Sequence, residues 1–146
     1  MGSKEDSKES YIVNRVKEAV NEYINGLDEV VTFVLLNTPD GLSVMTTLDT
    51  GTAINEFLSA SGSAISEIAR SYSEYSGIGA LHSVIIWGER GHVIVKKLND
   101  YLILAVGFLT KNIQRSMEII GNMGVIILAT LKESESSMDS KSLEIT

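Results

Sequence analysis

Ser83-Val84-Ile85-Ile86-Trp87, Gly88-Glu89-Arg90-Gly91, His92-Val93-Ile94-Val95-Lys96-Lys97-Leu98, Asn99-Asp100, Tyr101-Leu102-Ile103-Leu104-Ala105-Val106-Gly107-Phe108-Leu109 is the run on which the fold turns. Three apolar, β-branched segments are separated by two short polar turns. Connections this short leave no room for a crossover helix, so the three strands are antiparallel neighbours in a meander. The first of them carries no charge. As a sheet edge it would offer a row of unpaired backbone groups, and pairing with another subunit is one remedy.

Upstream, Gly77-Ile78-Gly79 stops a long helical pattern that begins after the cap-forming Asp49-Thr50-Gly51-Thr52. The apolar face of this second helix reads Ile54, Phe57, Leu58, Ala64, Ile65, Ile68, Ala69 and Tyr72. Ser59, Ser61, Gly62, Ser63 and Ser66 give it a small-residue flank. That flank is either a solvated serine face or the place where a second copy's helix approaches closely in a symmetric dimer.

Further upstream, Val30–Asn37 is apolar on both faces and reads as a strand covered on both sides. Thr38-Pro39-Asp40-Gly41 is a turn, because proline presets φ and Asp-Gly tolerates a tight return. Leu42–Thr47 alternates and completes a hairpin. A first helix repeats Ile12, Val16, Val20 and Ile24 and ends at Asn25-Gly26. A last helix starts near Lys111 and repeats Ile113, Met117, Ile120, Gly124, Ile127, Leu128 and Leu131, weakened by Gly121 and Gly124. Residues 1–8 are expected to be a disordered arm, 9–131 the folded domain, and 132–146 a disordered, Ser-rich tail. The order helix, two strands, helix, three strands, helix defines an α/β sandwich.

Composition narrows the function classes. The chain has 146 residues, no cysteine and a net charge of −7. One ordinary hydrophobic core is implied, without disulfides or thiolate metal sites. The acidic balance argues against a nucleic-acid binder, which needs a cationic footprint. Tyr101–Leu109, the longest apolar stretch, is far short of the roughly 20 residues that span a bilayer. The N-terminus shows no signal pattern, so no direct membrane insertion and a cytoplasmic location are expected.

No catalytic, cofactor or metal motif stands out. There is no Walker A sequence and no Gly-x-Ser-x-Gly elbow. Gly77-Ile78-Gly79 follows a helix and precedes a strand, the reverse of what pyrophosphate binding requires. His82 and His92 flank a hairpin and could face each other, but no cysteine or spaced carboxylate pair accompanies them. They read as ordinary strand histidines. Arg90 at a turn tip is either a solubilising residue or a projecting arginine of the kind that stabilises phosphoryl transfer on a partner's nucleotide.

Four segments between Val31 and about Ile120 carry a resemblance: Val31-Thr32-Phe33-Val34-Leu35-Leu36-Asn37 leading into Asp40-Gly41-Leu42, Tyr75-Ser76-Gly77-Ile78-Gly79 before Val84-Ile85-Ile86, Gly88–Val95, and Tyr101–Val106. In their order and spacing they resemble the Roadblock / dynein light chain superfamily, close to its prokaryotic regulators of Ras-like GTPases. The resemblance implies a five-stranded antiparallel sheet of order 2-1-5-4-3, with the second helix on one face and the terminal helices on the other. It also implies dimerisation through the third strand and second helix, with itself or a Roadblock paralogue, and docking of a small Ras-like GTPase. On this view Ser59, Gly62, Ser63, Ser66, Ser83, Ile85 and Trp87 form the dimer interface.

The function expected is that of a dimeric, non-enzymatic regulator or scaffold. The alternatives are an assembly subunit of a motor or signalling complex indifferent to nucleotide state, a small-molecule sensory domain favoured by an apolar pocket with converging polar groups, and a hydrolase assembled from residues distant in sequence.

Overall fold

The structure, a computed structural model, describes residues 4–47 and 51–144. Its elements are α1 (Lys4–Asn25), β1 (Val31–Asn37), β2 (Ser43–Thr46), α2 (Thr52–Tyr75), β3 (Val84–Trp87), β4 (His92–Asn99), β5 (Leu102–Phe108) and α3 (Ile113–Glu144). All five strands join one antiparallel sheet in the order β2-β1-β5-β4-β3. The chain divides into two compact units, one of Asp28–Ile120 and one containing α1 and α3 from Gly121 onward.

Within 28–120, both faces of the central strands are buried. Leu35, Val95, Ile103 and Ala105 form a core cluster with Phe33, Leu58, Val84 and Val93 packed against it. The alternate positions Val34, Leu36, Ile94, Leu104, Val106 and Phe108 are buried on the opposite face. This explains why β1 and β5 read as continuous apolar runs rather than alternating ones. Helix α2 lies against β1, β2, β3 and β4.

The β1–β2 turn behaves as its sequence suggests. Thr38 N–H donates to the Leu42 carbonyl at 2.9 Å, Gly41 N–H to the Thr38 carbonyl at 3.0 Å, and the Thr38 hydroxyl to Asp40 Oδ1 at 2.5 Å. Gly41 has φ of +93°, and a Cβ there would lie 3.0 Å from the Ala60 Cα of α2, so glycine is needed for both conformation and space. The stop after α2 is also built as expected. Gly77 takes φ of +79°, Ile78 N–H reaches back to the Ser73 carbonyl at 3.3 Å, and the Ser73 hydroxyl caps the Gly79 carbonyl at 2.6 Å.

In the other unit, Val16, Val20, Met123 and Ile127 are buried, and Asn122 Nδ2 donates to Tyr23 Oη at 3.2 Å. Helix is maintained through Gly121 and Gly124. The polar ends depart from the expectation of disorder. α1 begins at Lys4, inside the segment 1–8, and α3 continues through 132–144. Lys, Glu and Ser tolerate helix well enough for an existing helix to propagate, since extension avoids the nucleation cost.

One ion pair ties the start of the sheet to the start of α3. Arg115 Nε donates to Glu29 Oε1 at 2.8 Å, and Arg115 Nη1 to Glu118 Oε2 at 3.1 Å. Hydrogen bonding from Arg115 holds the Glu29 carboxyl below the ordinary glutamate value of 4.5, with a backbone hydrogen bond and the guanidinium charge acting in the same direction. A depressed carboxylate stabilises the fold above the unfolded-state value, and that contribution disappears as pH falls through the folded-state value. In Arg115→Met, the Glu29 titration should move up in an NMR pH series. The stability gap between wild type and variant should be full at neutral pH and close below pH 4.5.

Candidate functional site

The most unusual feature of the 28–120 unit is the distribution of residues around α2. Ser59, Ser63, Ser66 and Ser73 recur at helical spacing and are all buried. They face the chain's own sheet. Asn37, on the last position of β1 and only 1% exposed, donates through Nδ2 to the Ser59 carbonyl at 3.2 Å, to the Thr38 carbonyl at 3.3 Å, and to Ser63 Oγ. The Ser63 hydroxyl in turn donates to the Thr38 carbonyl at 2.7 Å. The serine flank is therefore not a free surface. Small side chains allow α2 to settle onto a polar post in the sheet and onto the β1–β2 turn. This moves Ser59 and Ser63 away from the expected dimer interface, because both are enclosed by their own chain, and Ser66 too is largely covered, with its side chain at a cleft of the same chain. Gly62 is half-buried with open space above it.

The opposite stripe of α2 is apolar and bare. Ile54, Phe57, Ile68, Tyr72 and Tyr75 are exposed, Tyr75 to 93%, and Ile78 beyond the helix is exposed too. A surface helix normally buries its apolar stripe and solvates its serines. α2 does the reverse. Apolar grooves flank Tyr72, one of about 550 Å³ bordered by Ile68 and Tyr75, the other of about 370 Å³ bordered by Ile65, Ile78 and Leu81.

β3 adds a second bare feature. It pairs with β4 on one side and is the last strand of the sheet on the other. Ile85, Ile86 and Trp87 are exposed, with no charged residue among them. Ser83 is half-buried ahead of the strand, near Met117 Sδ at 3.9 Å. Ile85 and Trp87 thus lie on the last strand of the sheet; the α2 residues that share a groove with Ile86 are Leu58, Ser61, Gly62 and Ile65, and the large exposed apolar side chains lie farther round the helix. Their i, i+3, i+4 spacing was visible in the sequence. What was not visible is which of the two stripes the sheet takes.

The histidines do not meet. The register sets His92 opposite Trp87, not His82. His92 is buried and stacks on Phe108 with ring centroids 5.5 Å apart, while His82 is exposed and contacts Ser83 Oγ through Nδ1 at 3.1 Å. Arg90 is exposed at the β3–β4 turn, on an open groove shared with Glu89 and Gly91. Among the described residues, no group of three His, Asp or Glu side chains is placed to hold a metal ion, and no helix is long and apolar enough to cross a membrane.

A five-stranded 2-1-5-4-3 antiparallel sheet with a helix on one face defines the Roadblock/LC7 fold, and this chain has it. The gliding protein MglB from Thermus thermophilus superposes with a TM-score of 0.68 at 13% identity, over 84% of this chain and 92% of that one. Myxococcus xanthus MglB gives 0.61 at 12% identity, over 92% and 95%. A Roadblock/LC7 domain from Streptomyces avermitilis gives 0.60 at 15% identity, over 83% and 95%. No protein-family model matches the sequence, and no curated protein matches it.

Proposed function

We propose that the chain is a non-enzymatic regulator or scaffold that self-associates through α2 and β3 and presents the paired surface to a small Ras-like GTPase. The observation that carries this reading is that one chain bears both a bare apolar stripe on α2 and a charge-free sheet edge at β3. Contiguous exposed apolar surface of this kind marks an interaction site in a soluble protein. An open edge strand adds backbone donors and acceptors that a twofold mate can satisfy, extending the sheet across two subunits. The likeness to MglB supports the choice of partner class, and the resemblance noted from the sequence points the same way.

Any influence on nucleotide hydrolysis or exchange would come from favouring one arrangement of the partner's switch segments. Arg90, exposed on its turn, is available to such a partner. The test is a pulldown with Ras-like GTPases from the same organism, each loaded with GDP or a non-hydrolysable GTP analogue. Binding is expected to one nucleotide state at least tenfold more tightly than to the other, a coupling of about 1.4 kcal/mol. Equal capture of both states would leave an assembly subunit without nucleotide dependence, and no capture would remove the GTPase reading.

A further inference from the structure

A cleft distinct from the apolar stripe opens on the other side of α2, between that helix, the sheet and the loop that leads into β3. It measures about 360 Å³, within the range of small-molecule pockets, roughly 300–1,000 Å³. Leu81 and Ile103 supply apolar walls, and Pro39 of the β1–β2 turn borders the same space.

Four charged side chains line it, Glu67, Arg70 and Glu74 from α2 and Lys97 from β4, with Ala80 and the His82 imidazole of the loop before β3 beside them. The four charges sum to zero. Arg70 is already committed, because Nε and Nη2 donate to the two oxygens of Glu67 at 3.1 and 2.6 Å and Nη1 donates to Glu74 at 3.0 Å. This fork fixes both carboxylates while leaving each with acceptor capacity. Lys97 is held more loosely, by an exposed contact with Asp100 Oδ1 at 3.6 Å, which a ligand can displace at little cost.

Inside the cleft, Ser66 is only 7% exposed, yet its hydroxyl has no hydrogen-bond partner among the described residues. Its oxygen opens onto the cleft, so the hydroxyl can donate to or accept from a bound molecule.

A neutral set of fixed charges gives little net attraction to a simple anion or cation. A molecule that carries both signs satisfies both. We propose that this cleft binds a zwitterionic α-amino acid with an apolar side chain. The ligand's carboxylate meets the Lys97 ammonium and the Ser66 hydroxyl. Its ammonium meets the unused lone pairs of Glu67 and Glu74, and its side chain covers Leu81 and Ile103. The site uses the inner edge of α2 and shares only Glu67 and Leu81 with the grooves of the outer stripe.

Isothermal titration of the full chain with L-leucine and L-phenylalanine tests it. Saturable binding of at least one, with one site per chain, is expected. N-acetyl-L-phenylalanine, lacking the ammonium, and L-phenylalaninamide, lacking the carboxylate, should each bind at least about tenfold more weakly than L-phenylalanine if that is the ligand, with the matching leucine derivatives used otherwise. Lys97→Met and Ser66→Ala should each weaken binding about tenfold while leaving the thermal midpoint and circular dichroism in place. Amide shifts on addition should centre on Ala80, Leu81 and Ser66. No saturable heat with either amino acid overturns the proposal. So does binding of inorganic phosphate alone, equal binding of the blocked derivatives, or unaltered affinity in both variants.

Discussion

The double variant Phe57→Glu/Ile68→Glu should run as a single chain in light scattering at tens of micromolar, where the wild-type protein should show twice the chain mass. Both side chains are bare in the isolated chain, each 68% exposed. Their loss removes little internal packing, and glutamate is a good helix former, so monomer stability should change by no more than about 0.5 kcal/mol per site. Twofold symmetry places each substitution in the interface twice. A carboxylate enclosed without a partner costs about 3–5 kcal/mol, so dimer affinity should fall at least about a thousandfold. Circular dichroism and thermal midpoint measured on the monomer should match wild type apart from the loss of dimer stabilisation. Wild-type protein that is monomeric at this concentration, or a double variant that keeps the dimer mass, would remove the pairing on which the proposed function stands.

Ser66→Glu is the informative contrast. If the serine flank were the interface, this substitution would dissociate the dimer and leave the fold alone. Ser66 lies on the sheet-facing stripe, so the expected outcome is instead a lowered thermal midpoint of the chain itself. The two variants together distinguish which stripe of α2 faces outward.

The eight elements were legible because their boundaries are written in local chemistry. Pro39-Asp40-Gly41, Gly77-Ile78-Gly79 and Asn99-Asp100 act on the backbone where they stand, and strand ends differ from the sequence reading by about one residue. The faces of α2 were less legible. Two stripes of similar length run along it, one apolar and one of serines, and periodicity reports both without saying which meets the sheet. The deciding residue is Asn37, a lone amide that follows the apolar run Phe33–Leu36. It must find acceptors once buried, and only the serine stripe with its nearby carbonyls supplies them. An asparagine ending such a strand, considered together with a polar stripe on the next helix, would have been the usable signal. The cleft beside Ser66 could not have been found that way. Pro39, Ser66, Glu67, Arg70, Glu74, Leu81, Lys97 and Ile103 come from five parts of the chain and share no spacing. The helical extent of the polar ends was not legible for another reason. Composition describes whether a segment can bury apolar surface, and an existing helix can lengthen without doing so.

Asn37→Asp should be among the most destabilising single substitutions in the domain and should show a reversed pH dependence. It replaces the Nδ2 donor with an oxygen while keeping the shape, so the carboxylate is forced against the Thr38 and Ser59 carbonyls that Asn37 now serves. No positively charged group appears among its hydrogen-bond partners, and the site is 1% exposed. A buried charge without a partner costs about 3–5 kcal/mol at neutral pH. The folded protein therefore favours the protonated acid, whose O–H can donate where the amide did. The native state then binds more protons than the unfolded state, and stability of the variant falls as pH rises. Denaturant melts of Asn37→Asp at pH 4 and pH 7 should differ by more than those of wild type, with the variant nearer to wild type at pH 4. Asn37→Ala should lose about 2–4 kcal/mol without that pH dependence, because it removes the donor and leaves a cavity but introduces no charge. Equal loss at both pH values in the aspartate variant would mean that water reaches this post and that α2 does not seal the sheet there.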